Sequence, residues 1–268
     1  MKDQAASLRE LKANYDKIIA KQQTESINDF LTNIKRDSIS SAYILMYQEN
    51  IPAKYPEIGL WLPKISKNPD NLYLWDQAEL INNKVLTKQE AVSLPFTVLS
   101  QQQEMLDLKT KTDFERFEFL KNITSTLEKY SEVWITINSN EIPNYKYLLN
   151  SANAICLMLP DCDESVIKGY ETVKKITKNE ITTPITLLEF SSKPFPSEVF
   201  TATKIKNVAK HFLGIDLSNV GVVLSSCRYI SLDNEGNISQ LKPFEKLSDG
   251  GFMYSFSENI VNLPLGTM

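Results

Sequence analysis

One histidine, three cysteines and eight glycines in 268 residues limit the chemistry this chain can support. A Ser-His-Asp triad or a histidine-rich metal site would have to be built around His211 alone. That residue follows Lys206-Asn207-Val208-Ala209-Lys210 in an amphipathic pattern, which places it on the surface or half-buried face of a helix. Cys156, Cys162 and Cys227 contain no C-x2-C pair, so zinc ligation would need thiolates converging from unrelated positions, and no metal site is expected. Cys156 lies within an apolar run and reads as a small buried hydrophobe. The glycines begin at Gly59, and no two lie close together until Gly250 and Gly251. No Gly-rich strand-to-helix turn is therefore present to bring backbone N–H groups onto a phosphate. Lys54 and Asp76 are charged residues at a loop and a strand end, and without further context each is an ordinary residue of its kind.

The chain is long enough for one large domain or two small ones, with a core that needs no disulfides. Its 42% apolar and 23% charged residues are those of a soluble globular protein. A net charge of −4 offers no electrostatic footprint for nucleic acid. An odd number of cysteines with no secretory signal before them reads as reduced thiols in the cytoplasm. No apolar run approaches the ~18–20 residues of a membrane span. No amphipathic helix with a basic face closes the chain, so no direct membrane anchor is expected.

The elements that must position these residues follow a strand-helix rhythm. Leu8, Leu11, Tyr15, Ile18 and Ile19 share one face of a 3.6-residue period, and Ile27, Phe30, Leu31 and Ile34 form a second stripe. Ala42 to Tyr47 is a buried-strand run, and Gly59 to Ile65 a helical turn or two weakened by Pro63. Leu72 to Trp75 reads as a strand ending in Asp76, and Pro95 to Leu99 as another. A long helix carries Phe114, Phe117, Leu120, Ile123 and Leu127 on its apolar face. Strands are expected at Val133–Ile137, Ala154–Leu159, Ile185–Leu188 and Val220–Leu224, with helices at Tyr147–Leu149, from Asp163 and over Pro196–Leu213. Strands of near-continuous hydrophobes alternating with helices predict an α/β fold, a mostly parallel sheet with helices on both faces. Beyond Asp233 the rhythm ends, and turn clusters flank possible hairpin strands at Ile238–Leu241 and Phe252–Phe256.

Four stretches resemble the MinD/ParA group of deviant P-loop ATPases, and within it the FlhG branch of flagellar-number regulators. Asp3-Gln4-Ala5-Ala6-Ser7-Leu8-Arg9 is similar to the D-Q-A-x-x-L-R motif that opens FlhG proteins. Leu72-Tyr73-Leu74-Trp75-Asp76 resembles the strand ending in Asp after the phosphate-loop helix, and Tyr130 to Ile137 the Walker-B strand. Ser151 to Asp161, followed by Ser165 to Tyr170, resembles a long in-register run of the group. The departures all fall on one site. In the slot of the family's K-G-G-x-G-K-[ST] loop stands Glu49-Asn50-Ile51-Pro52-Ala53-Lys54-Tyr55, where only the second lysine is matched, by Lys54. The Walker-B carboxylate falls at Thr136 or Asn138, and the adenine-reading Asn at Glu189 or Phe190.

The resemblance implies a helical partner-binding extension at residues 1–38 and a MinD-like domain at 39–268 with an atypical C-terminal hairpin region. Phosphoryl transfer is almost wholly positioning and charge stabilisation, so the missing loop and metal ligands imply a pseudo-ATPase without a cofactor. Lys54 and Asp76 would be the remnants of its nucleotide site. The helix carrying Asp3, Gln4, Leu8 and Arg9 would dock on an FlhF-type, signal-recognition-like GTPase and present Gln4 to that partner's attacking water. Such a protein would regulate flagellar assembly or polar placement from the cytoplasm, recruited to the cell pole or flagellar base. It would contact basal-body proteins, form no nucleotide-driven dimer and bind no nucleic acid. A divergent ATP-binding MinD/ParA-type ATPase working through Lys54 and Asp76 is the alternative.

Overall fold

A computed structural model describes residues 41–48, 58–77, 96–99, 112–191, 201–224 and 229–231. The first strand, β1 (Ser41–Tyr47), is buried from Ala42 to Met46, as a strand covered on both faces must be. Helix α1 (Ile58–Ile65) follows it, with Pro63 inside, and buries Ile58, Trp61, Leu62 and Ile65. The strands β2 (Leu72–Asp76) and β3 (Thr97–Leu99) come next. Helix α2 (Asp113–Leu127) starts on a capping box, with Thr112 Oγ1 accepting from the Glu115 amide and the Glu115 carboxylate accepting from the Thr112 amide at 2.7 Å. The chain continues through β4 (Glu132–Asn138), a 3-10 turn at Ser139–Tyr145 and α3 (Lys146–Ser151). It then runs through β5 (Ala154–Pro160), α4 (Asp163–Lys178), β6 (Ile185–Ser191), α5 (Thr201–Leu213), β7 (Ser218–Leu224) and β8 (Tyr229–Ser231).

These strands form one eight-stranded sheet in the order β3-β2-β4-β1-β5-β6-β7-β8. Every pairing is parallel except β7 with β8. The connection from β1 to β2 runs one way along the sheet and carries α1. Those leading to β4, β5, β6 and β7 run the other way and carry α2, α3, α4 and α5. A single handedness of crossover must then put α1 on one face and the other helices on the opposite face. The core divides accordingly. Tyr43, Leu45, Leu74, Trp134, Cys156 and Met158 pack with Trp61 and Leu62 of α1. Their neighbours Ile44, Trp75, Ile135 and Leu157 pack with Leu120 of α2, Leu148 of α3, Val173 of α4 and Ile205 of α5. The mostly parallel sheet covered on both faces is thus as expected from the sequence.

Several details differ from the sequence reading. Phe114 is half exposed, and α2 instead turns Arg116, Phe119, Leu120, Ile123 and Leu127 inward. A fully buried guanidinium on that face is invisible to an apolar-periodicity argument. Strand β6 runs three residues past Leu188 because Glu189 and Ser191 are buried there. Gly221 lets β8 lie close on β7, since a Cβ at that position would collide with the Ile230 carbonyl oxygen and approach the Tyr229 ring within 2.7 Å. The expected helices of residues 1–38 and the hairpin strands beyond 233 lie outside the described residues.

Two polar anchors fix the amino-terminal edge of the sheet. Glu132, buried at the start of β4, accepts hydrogen bonds at Oε2 from Ser66 Oγ (2.9 Å), Lys67 N–H (2.9 Å) and Asn68 N–H (3.1 Å), and at Oε1 from Trp134 Nε1 (2.6 Å). It ties the chain leaving α1 to the central sheet. Buried Asn153 exchanges bonds with Ala42, accepting its N–H on Oδ1 and donating its own N–H to the Ala42 carbonyl, both at 2.8 Å.

Candidate functional site at the carboxyl edge of the sheet

Open parallel sheets bind ligands outside the carboxyl ends of their strands, where neighbouring connections leave toward opposite faces. Here β1 is that point. Its chain leaves toward the α1 face, while those of both neighbours, β4 and β5, leave toward the α3–α4 face. The residue just past β1 is Gln48, which is buried, and its Oε1 accepts from Ser165 Oγ in the first turn of α4 at 3.1 Å. One turn further along α4, a Cβ on Gly169 would stand 3.2 Å from Gln48 Nε2 and 2.5 Å from Ile205 Cδ1. The glycine therefore lets α4 close over the Gln48 side chain and pack on α5.

The other strand ends are bonded in the same manner. Asp76 closes β2, is fully buried, and accepts from Thr136 Oγ1 of β4 at 2.7 Å. The register sets Asp76 directly beside Thr136, which makes Thr136 rather than Asn138 the residue facing that carboxylate. Asn138 Oδ1 instead accepts from Asn140 N–H at 3.0 Å, starting the 3-10 turn. Asp161, just past β5, accepts from Ser191 Oγ of β6 at 3.1 Å. Glu189 of β6 is buried and its Oε2 accepts from Ala202 N–H at the start of α5, 3.0 Å away. Burial pushes the Glu189 carboxyl up to about 7; the Ala202 amide opposes this and the charge of Asp161 reinforces it.

Alternation along the strands separates these groups. Trp75 belongs to the core beneath α2, so Asp76 faces the α1 side, and Thr136 shares that face. Leu188 belongs to the α1-side core, so Glu189 faces the α4–α5 side. The strand order places three strands between β2 and β6, roughly 19 Å of sheet at a spacing of ~4.8 Å. The structure thus joins Asp76 to Thr136 and keeps both away from Glu189. Lys54, Asp3, Gln4, Leu8 and Arg9 lie outside the described residues.

A magnesium–nucleotide group needs hard oxygen donors and amides aimed at phosphate. Among the described residues, the Thr136 hydroxyl donates to Asp76 and the Gln48 carbonyl oxygen accepts from Ser165, and both oxygens keep lone pairs; the Ala202 amide at the start of α5 is taken by Glu189 and is used up as a phosphate donor. No group of three or more His, Cys, Asp or Glu side chains suited to a metal occurs among the described residues. Cys156 is buried and its thiol is pushed up to about 12 by burial, partly offset by a hydrogen bond with Thr186, which removes it as a nucleophile at neutral pH. His211 is exposed on α5, its ring edge-on to Phe212 at 4.7 Å, as the sequence pattern placed it. No described helix is long and apolar enough to cross a membrane. The bonds joining Gln48 to Ser165 and Glu189 to Ala202 escaped sequence reasoning. They link positions 117 and 13 residues apart, and no local pattern announces them.

No protein-family model and no curated protein matches this sequence. Solved structures similar to it include the MinD cell division protein of Aquifex aeolicus, 7% identical with a TM-score of 0.40 over 69% of this chain and 83% of that one. A ParA family ATPase from Chlorobium tepidum TLS is 9% identical, with a TM-score of 0.42 over 84% of this chain and 98% of that one. The signal recognition particle receptor FtsY from Elizabethkingia anophelis is 10% identical, with a TM-score of 0.41 over 95% and 77%. These likenesses lend no residue role to the present chain.

Proposed function

We propose that this chain is a catalytically inactive, MinD-like protein of the FlhG type that works through protein contacts. The observation that carries this reading is the carboxyl edge of the sheet, where Gln48, Asp76, Asp161 and Glu189 are each bonded to groups of the chain itself. The sequence agrees, since the phosphate-loop slot retains only Lys54 and the Walker-B slot holds Thr136 or Asn138, neither a carboxylate.

In this reading the sheet and its helices are a scaffold, and the working part is the N-terminal segment carrying Asp3, Gln4, Leu8 and Arg9. Its partner is an FlhF-type GTPase, and its setting is flagellar assembly or placement at the cell pole. Mixing the 268-residue chain with such a GTPase is expected to raise GTP turnover several-fold, and Gln4→Ala to abolish the increase while leaving binding intact. An Asp3→Ala, Leu8→Ala, Arg9→Ala variant is expected to lose binding as well. Unchanged turnover with wild-type protein would remove this partner from the reading.

A further inference from the structure

We infer that Glu189 is a proton-controlled latch between the sheet and the start of α5, a device that stands apart from any partner. The carboxylate emerges from β6 between Leu159 of β5 and Val222 of β7, both buried and apolar. Above it lies the first turn of α5, whose Ala202 amide it binds at 3.0 Å. The helix is held on its other side by α4, where Gly169 admits Ile205.

Among the described residues, few charges face Glu189. From the end of β5 comes Asp161, held by Ser191, and from α5 comes Lys204, which is exposed. The buried residues of α4 here, Ser165, Gly169 and Thr172, are uncharged. The helix amides and Lys204 favour the ionised carboxylate, while burial and Asp161 disfavour it. In the closed state the carboxyl titrates near 7, whereas opening α5 releases it to water and an ordinary value near ~4.3. The closed state therefore binds the proton more tightly. Its advantage over the open state is fully present at acid pH, declines as pH rises between those two values, and is lost above the upper one. Raising the pH through neutrality loosens α5 from the carboxyl edge; lowering it draws the helix down.

Hydrogen exchange on the full chain tests this, comparing α5 with β5 between pH 5 and 8 after correction for intrinsic exchange. Opening of α5 is expected to rise on the order of a hundred-fold between pH 5 and 7.5 and then level off, with β5 unchanged. Glu189→Gln, which cannot ionise, should make α5 protection independent of pH. Asp161→Asn should move the midpoint to lower pH, and serves if Glu189→Gln does not fold. Wild-type protection that ignores pH, or a Glu189→Gln chain that keeps the wild-type profile, would overturn the latch.

Discussion

Replacing Glu132 by alanine is expected to remove about 3–4 kcal/mol of stability, read from urea unfolding at neutral pH. Hydrogen bonds to a charged acceptor are each worth about 1.5–3 kcal/mol, and four donors converge on this carboxylate. Their contributions do not simply add. The Ser66, Lys67 and Asn68 groups are partly exposed and would regain water, while the indole N–H of the fully buried Trp134 would not. The Tyr43 hydroxyl, pushed up to about 12 by burial and then by the Glu132 charge, reports the same carboxylate from the neighbouring strand. Glu132→Gln should cost about 2 kcal/mol, because its amide end turns donors toward donors. A loss below about 1 kcal/mol in the alanine variant would mean that the turn after α1 does not depend on this anchor.

Thr136→Asp is expected to be still more damaging, costing about 4 kcal/mol or more at pH 7.5. It would set a second carboxylate beside fully buried Asp76, where Thr136 now donates a hydrogen bond. Two carboxylates sharing a site cannot both ionise cheaply, so the pair holds a proton to a higher pH when folded than when unfolded. The sign follows: the variant's deficit is small in acid and grows as pH rises through the ordinary carboxylate range. Thr136→Val, which removes only the donor, should cost about 1–3 kcal/mol. Thermal melting across pH 4.5–8, with and without Mg²⁺, checks both. Recovery of Thr136→Asp by millimolar Mg²⁺ would show a latent cation site, contrary to the proposed reading as a pseudo-ATPase.

The parts of this fold that were legible in the sequence are those where one physical pressure acts alone. Ala154 to Leu159 is buried on both faces and reads as an unbroken apolar strand. The apolar stripe of α4 in the sequence is Val166, Tyr170, Val173 and Ile176; the last two are buried and the first two half-buried, with acidic residues in the first turn of the helix and lysines in its last. Legibility failed where a polar side chain is buried. Arg116 stands in a helix read by its apolar stripe alone, and Glu189 follows the strand read at Ile185–Leu188, yet both are buried. The candidate site divides the same way. Asp76 and Thr136 were found by their slots in a resembling pattern, and the register sets them side by side. Nothing in the chain near Gln48 points to Ser165, because that pair depends on how α4 returns over β1.

The most direct measurement is a thermal melt of the 268-residue chain titrated with ATP–Mg²⁺, beside Lys54→Ala. A chain without a working nucleotide site should show the same midpoint with and without nucleotide, and the variant should be indistinguishable from wild type. A shift of several degrees that Lys54→Ala abolishes would instead establish a working nucleotide site, and contradict the reading of this protein as a fold without its chemistry.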